Sequence, residues 1–210
     1  MEMYRIEVRD PAYPDSLVRF LASDAPGVIT AMGNLENLKQ DNKVAIFASV
    51  SCPVELQLKA EKLFQDSFNA DGTFIGGFHS PVERRCLNFL LSGTQPVILC
   101  PARSLMKFRV QSAYKNSLQN GRMLILSFFK SHRHRSDIGM AFRRNRFVAA
   151  LADQILVVHA APASKTEQFC RGLLAWGKPL LTLEDERNQN LIRMGARSLP
   201  SIKMRSGDHG

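Results

Sequence analysis

From Lys43 to Leu183 the chain alternates short apolar runs with longer amphipathic stretches. The runs Val44–Ser49, Thr73–Ile75, Pro96–Cys100, Met123–Ser127, Ile155–Val158 and Pro179–Leu183 read as strands, each apolar at most of its positions, as strands buried on both faces are. Between them, apolar positions recur at helical spacing. Helices are predicted over Pro53–Phe68, Pro81–Leu91, Ile138–Ala152, Lys165–Trp176 and Asn188–Met194. Pro53 suits a first helical turn, and Ser80 suits an N-cap. Strands alternating with helices imply βαβ units. The predicted class is α/β: a Rossmann-like, doubly wound, mostly parallel sheet, with right-handed crossovers and helices on both faces. Residues 1–40 read as a short N-terminal extension, with breaks at Asp10-Pro11 and Tyr13-Pro14, a helix over Ser16–Ala22 and a strand over Pro26–Met32. Residues 41–196 form the Rossmann-like domain, and 197–210 read as a flexible polar tail.

Composition narrows the partners. At 210 residues and 45% hydrophobic content the chain can bury one sizeable core. No run approaches the roughly 18 apolar residues of a membrane-spanning helix. The opening residues lack the apolar core of a signal peptide, so a cytoplasmic protein without a membrane role is expected. Cys52, Cys86, Cys100 and Cys170 are scattered without a CxxC pair, which predicts free thiols, no zinc site and no other metal. The net charge of +9 is unevenly placed. Lys130, Arg133, Arg135, Arg143, Arg144 and Arg146 face only Asp137 in one window, which therefore carries +5 of that total. Concentrated positive charge points to nucleic acid or a phosphorylated ligand, against the plainer alternative of a solvated basic face.

Four loops follow predicted strand ends, where ligands of such sheets bind. Ala48–Pro53 holds small residues but no glycine. Gly76-Gly77-Phe78-His79-Ser80 places two glycines, which permit close backbone approach, beside a histidine. Ser80 and Glu83 have capping-box spacing, which by itself accounts for both. The third segment is the basic run Ser131–Arg146. Its Arg143, Arg144 and Arg146, with Asn145 between them, offer bidentate phosphate contacts. Phe128, Phe129 and Phe142 flank it and could stack on bases or face the core. The fourth, Ala160–Thr166, lacks the glycines of a Walker A loop, yet Ser164, Lys165 and Thr166 stand at a helix start suited to an anion or to simple capping. No HExxH, GxSxG or paired-carboxylate pattern occurs.

The span from Gly76 to Thr166 resembles the DprA/Smf family of DNA-processing proteins. The resemblance rests chiefly on Phe142-Arg143-Arg144-Asn145-Arg146-Phe147-Val148-Ala149, followed by a strand and a small-residue turn into Ser164-Lys165-Thr166. Gly76-Gly77 stands where the family has a Ser-Gly pair, and Tyr13-Pro14 resembles its N-terminal pattern. There are departures. The family's Gly-Ser/Thr-Arg after the first strand reads Ala48-Ser49-Val50, and its Ser-Gly-Ser turn reads Ala163-Ser164-Lys165. The added C-terminal winged-helix domain of the family has no counterpart in these residues, so a short, divergent member is expected.

The resemblance implies a non-catalytic binder of single-stranded DNA that assists DNA processing or recombination beside a RecA-type recombinase. The expected phosphate-binding residues are Gly76, Gly77, His79, Ser80, Arg143, Arg144, Asn145, Arg146, Ser164, Lys165 and Thr166, with no catalytic residue and no cofactor. A homodimer is the expected assembly, although no residue pattern fixes it. Two alternatives stay open. One is a small-nucleotide sensor using the same loops. The other is a nucleotide N-glycosidic hydrolase with Glu83 or Glu167 as acid/base; Pro162–Glu167 only loosely echoes the PGGxGTxxE motif of such enzymes.

Overall fold

A computed structural model describes residues 2–66, 72–130 and 138–199. Among them, nine strands form one sheet. In chain order they are β1 (Met3–Glu7), β2 (Val28–Gly33), β3 (Lys43–Phe47), β4 (Thr73–Gly76), β5 (Val97–Leu99), β6 (Met123–Ser127), β7 (Gln154–Val157), β8 (Leu180–Leu183) and β9 (Arg197–Leu199). Their spatial order is β1-β2-β6-β5-β4-β3-β7-β8-β9. From β6 to β9 all neighbours are parallel. The N-terminal extension adds β1 and β2 antiparallel at the β6 edge, with Ala31 opposite Leu126. The predicted Rossmann-like, mostly parallel sheet is therefore the fold.

Among the described residues seven α-helices cover the sheet: α1 (Asp15–Leu21), α2 (Val54–Asp66), α3 (Pro81–Ser92), α4 (Ser112–Gln119), α5 (Ile138–Leu151), α6 (Lys165–Ala175) and α7 (Gln189–Met194). Side chains alternate across each strand and separate two cores. Ala45 and Phe47 of β3, Leu124 and Leu126 of β6, and Ile155 and Val157 of β7 pack with α1, α5, α6 and α7. Ile46, Met123, Ile125 and Leu156 face α2, α3 and α4. The order of parallel strands reverses between β3 and β7. Helix α2 leaves β3 toward one face and α6 leaves β7 toward the other, which opens a crevice at their carboxyl ends.

Three elements were not legible as periodicity. Strand β1 buries only Ile6. Helix α4 buries Tyr114 and Leu118, one turn apart, among Ser, Asn, Gln and Lys. Strand β9 lies at the start of the stretch read as a tail; Arg197–Leu199 instead pairs in parallel with Leu181–Leu183. Its short polar sequence carries no strand signal, and the unpaired edge of β8 supplies the reason for it to order. Residues 200–210 lie outside the described residues.

At the opposite, amino-terminal edge, Lys178 is 7% exposed. Its ammonium donates to the carbonyls of Ala150, in the last turn of α5, and Ala152, just after it, and lies 3.9 Å from the Phe20 ring centroid. Burial pushes its pKa down to about 8, with the Asp153 charge opposing. The folded pKa lies below the 10.5 ordinary for a lysine. Between those values the unfolded chain therefore holds a proton that the native state has released, so this group's contribution to stability rises with pH. Urea titrations of wild type and Lys178→Met at pH 7.5 and pH 10 are expected to show wild type gaining on the variant by on the order of 1 kcal/mol at the higher pH, the shift being discounted for solvent screening. An unchanged difference between the two pH values would contradict this.

Candidate functional site

The carboxyl ends of β3, β4 and β7 are neighbours, so the loops after them share one edge. Ser49 ties two of these loops together. Its amide donates to the His159 carbonyl at 3.0 Å, and its hydroxyl donates to Thr166 Oγ1 at 3.2 Å. Glu83 ties the other pair. Its carboxylate accepts from the amides of Ala48 at 3.0 Å, His79 at 2.7 Å and Ser80 at 3.4 Å. Ser80 Oγ in return accepts from the Glu83 amide, which completes the capping box at the start of α3. The spacing of Ser80 and Glu83 foretold the cap. It did not foretell the reach to Ala48, which depends on β3 and β4 being adjacent.

Gly77 is present for a steric reason. A Cβ there would lie 1.6 Å from Arg144 Nη1 and 1.9 Å from Cζ. The Arg144 guanidinium occupies that space, and the residue is 5% exposed. Nη1 donates to the Cys100 carbonyl at 3.1 Å, and Nε donates to Asn145 Oδ1 at 2.7 Å. Burial lowers the Arg144 pKa, and the charge of nearby Glu83 pulls it back up. The arginine thus braces the β4 and β5 loops from within. Gly76 is the buried end of β4, and His79 is exposed at the mouth.

Helix α6 begins the same way. Ser164 Oγ accepts from the Glu167 amide at 3.1 Å. The Glu167 carboxylate accepts from the Ala163 amide at 3.0 Å and from Asn190 Nδ2 at 2.7 Å. The Asn190 hydrogen bond is the largest cause holding the Glu167 carboxyl below its ordinary pKa, with the Ala163 amide and Arg171 acting in the same direction. A general acid needs the opposite shift. Lys165 is exposed beside this cap, and Thr166 is half-buried against Ser49.

Successive helix residues point about 100° apart, so the basic cluster on α5 is divided rather than pooled. Arg144 turns inward. Arg146 turns toward α1 and α6, pairing with Asp24 at 2.7 Å and lying 5.5 Å from the Trp176 ring. Arg143 is exposed, 5.4 Å from the Phe128 ring and 6.0 Å from Phe129. Those two phenylalanines stack at 4.3 Å, and Phe128 is anchored to the core by Phe147 at 4.9 Å. Phe142 is 51% exposed and meets Phe169 edge-on. Segment 131–137, with Arg133 and Arg135, lies outside the described residues.

The sequence reading passed over a further set. The loop between β5 and α4 carries Arg103, Lys107 and Arg109, all exposed. Ser127 Oγ, at the end of β6, donates to the Arg103 carbonyl at 2.6 Å and accepts from the Phe129 amide at 3.1 Å. This seats the loop beside Phe128, Phe129 and Arg143. The Arg103 guanidinium lies 5.4 Å from the Phe108 ring. Among the described residues no carboxylate pairs with Arg103, Lys107, Arg109, Lys130 or Arg143. The only available signal was an aperiodic loop in which three cations surround a phenylalanine, and separation in sequence hid its tie to β6.

This arrangement defines a Rossmann-like α/β protein with a braced crevice at its switch point and a basic, aromatic wall beside it. The chain belongs to the family of DNA recombination-mediator protein A, whose model matches residues 5–204. The resemblance to the DprA/Smf family is thereby borne out. Its fold is similar to that of DNA processing protein A from Streptococcus pneumoniae, with a TM-score of 0.76 and 22% identity over 94% of this chain and 71% of that one. It is also similar to DNA processing protein A from Helicobacter pylori, with a TM-score of 0.73 and 19% identity over 96% of this chain and 92% of the other. The structure of the H. pylori protein concerns its mode of binding single-stranded DNA. No curated protein matches significantly. Where the family pattern has arginine after the first strand, Val50 stands 73% exposed.

Glu83→Ala would leave partly buried amides of two loops without their acceptor. It is expected to cost about 2–4 kcal/mol in urea denaturation, above the roughly 0.5–2 kcal/mol of a lost helix cap. A cost under about 1 kcal/mol would show that the Ala48 and His79 bonds do not brace the mouth.

Proposed function

We propose that this protein binds single-stranded DNA without catalysis, along the wall formed by the β5–α4 loop, the end of β6 and the start of α5, and so assists DNA processing or recombination. The observation that carries this reading is the set of five exposed cations, Arg103, Lys107, Arg109, Lys130 and Arg143, which have no carboxylate partner among the described residues and are placed around Phe108, Phe128 and Phe129. Phosphates supply affinity to such a surface through counterion release, and aromatic faces stack on bases without demanding a sequence. The family and the H. pylori relative support the choice of nucleic acid over a small nucleotide.

In this reading the residues of the mouth have two roles. Gly76, Gly77, Ser80, Arg144 and Asn145 hold the loops in position, while His79, Ser164, Lys165 and Thr166 flank the strand's path. Arg146, paired with Asp24, lies away from it. The non-catalytic part rests on the two carboxylates a hydrolase would need: Glu83 and Glu167 are both committed to loop amides. We place the protein in the cytoplasm, as a homodimer that works with a RecA-type recombinase. Among the described residues no helix is long and apolar enough to cross a membrane.

Anisotropy titrations of labelled oligo(dT) across a salt series test the reading. The triple variant Arg103→Ala, Lys107→Ala, Arg109→Ala is expected to bind more weakly and to flatten the log–log salt slope by about 2, at roughly 0.7 per phosphate contact. Phe108→Ala is expected to weaken binding about tenfold or more with the slope unchanged, in the range of one lost base stack. Arg146→Ala is expected to leave both unchanged. A triple variant with wild-type slope and affinity would refute the proposed wall.

A further inference from the structure

A groove of about 650 Å³ runs between α5 and α6, on a helical face of the sheet. Gly139, Phe142 and Arg146 line it from α5, and Lys165, Phe169 and Trp176 line it from α6. These positions follow helical spacing, so each helix turns one stripe toward the groove. Phe142 is 51% exposed there, although apolar residues of this size are otherwise largely buried on these two helices. Gly172 also lines the groove, and a Cβ on it would meet nothing within 4 Å. A side chain is missing where the space is open. Exposed apolar surface rimmed by polar groups marks an interaction site.

The rim is cationic. Among the described residues no carboxylate lines the groove, while Arg146 and Lys165 do. Arg146 is held by Asp24 and lies over Trp176. Lys165 has no carboxylate partner among the described residues, because neighbouring Glu167 is committed to Ala163, Asn190 and Arg171. We propose that this groove docks an amphipathic helix of a partner protein, with apolar anchors on one face flanked by carboxylates. A helix fits better than an extended strand. Both walls are helices running the same way across the sheet, with no free strand edge to extend, and the ridges of two helices accept a third. From Lys165 to Trp176 the wall measures about 16 Å at roughly 1.5 Å per residue, enough for three turns. A second copy is disfavoured, since a symmetric contact would set Arg146 and Lys165 against the same cations.

The probe is a fluorescein-labelled helical peptide of about four turns, with Leu and Phe at i, i+3, i+4 and i+7 and Glu on both flanks; a control carries Lys in place of Glu. The full chain is expected to bind the acidic peptide and not the control. Gly172→Leu should weaken binding at least tenfold and Lys165→Glu severalfold. Gly172→Leu puts a better helix former into open space, so its circular dichroism and oligo(dT) affinity should match wild type. Absence of binding by wild type, equal binding by Gly172→Leu, or equal binding of the control peptide would each overturn the proposal. So would a fall in oligo(dT) affinity in a folded Gly172→Leu, which would assign the groove to nucleic acid. A wild-type self-association abolished by Gly172→Leu would assign it to a second copy, with the same consequence.

Discussion

The Glu83 carboxylate accepts hydrogen bonds from amides of the β3 loop and the β4 loop while capping α3. Arg144 lies near it and fills the space that Gly77 leaves open, reaching across to the Cys100 carbonyl at the end of β5. A parallel sheet brings these strand ends together but does not fix the loops that leave them. Here a buried carboxylate and a buried guanidinium do so, the first hydrogen-bonded to loop amides and the second to the Cys100 carbonyl and the Asn145 side chain, which is the condition under which buried charge is tolerated. The β3, β4 and β5 sides of the mouth become one rigid unit, and Ser49 couples it to β7 and α6.

That rigidity gives the basic wall its meaning. Arg143 is on the same helix as Arg144, one residue away, so the buried arginine fixes the direction of the exposed one. The phenylalanines beside it are anchored through Phe147, and the β5–α4 loop is held by Ser127. A flexible cluster of arginines would lose entropy on meeting a phosphate backbone. A preplaced one loses less, which favours affinity for a ligand with evenly spaced charge.

The fold was legible where strands are buried on both faces, because Val44–Phe47, Met123–Leu126 and Ile155–Val157 are apolar without interruption. It was not legible where tertiary context decides, as in β1, α4 and β9. The site divides along the same line. Ser80–Glu83 and Ser164–Glu167 announced two helix caps through local spacing. The divergence of Arg143, Arg144 and Arg146 was implicit in helical geometry, but which of them faces inward depends on Gly77, sixty-odd positions earlier in the chain. The cations of the β5–α4 loop carry no periodicity, and only the Ser127–Arg103 bond reveals that they belong with Arg143.

Photocrosslinking of an oligo(dT) bearing 5-iodouracil, with the modified peptides identified by mass spectrometry, tests the central claim most directly. The structure-based account predicts crosslinks at Phe108, Phe128 or Phe129, in peptides that also contain Arg103–Arg109 or Lys130. Crosslinks confined to the amino-terminal edge of the sheet, near Phe20 and Lys178, would contradict it.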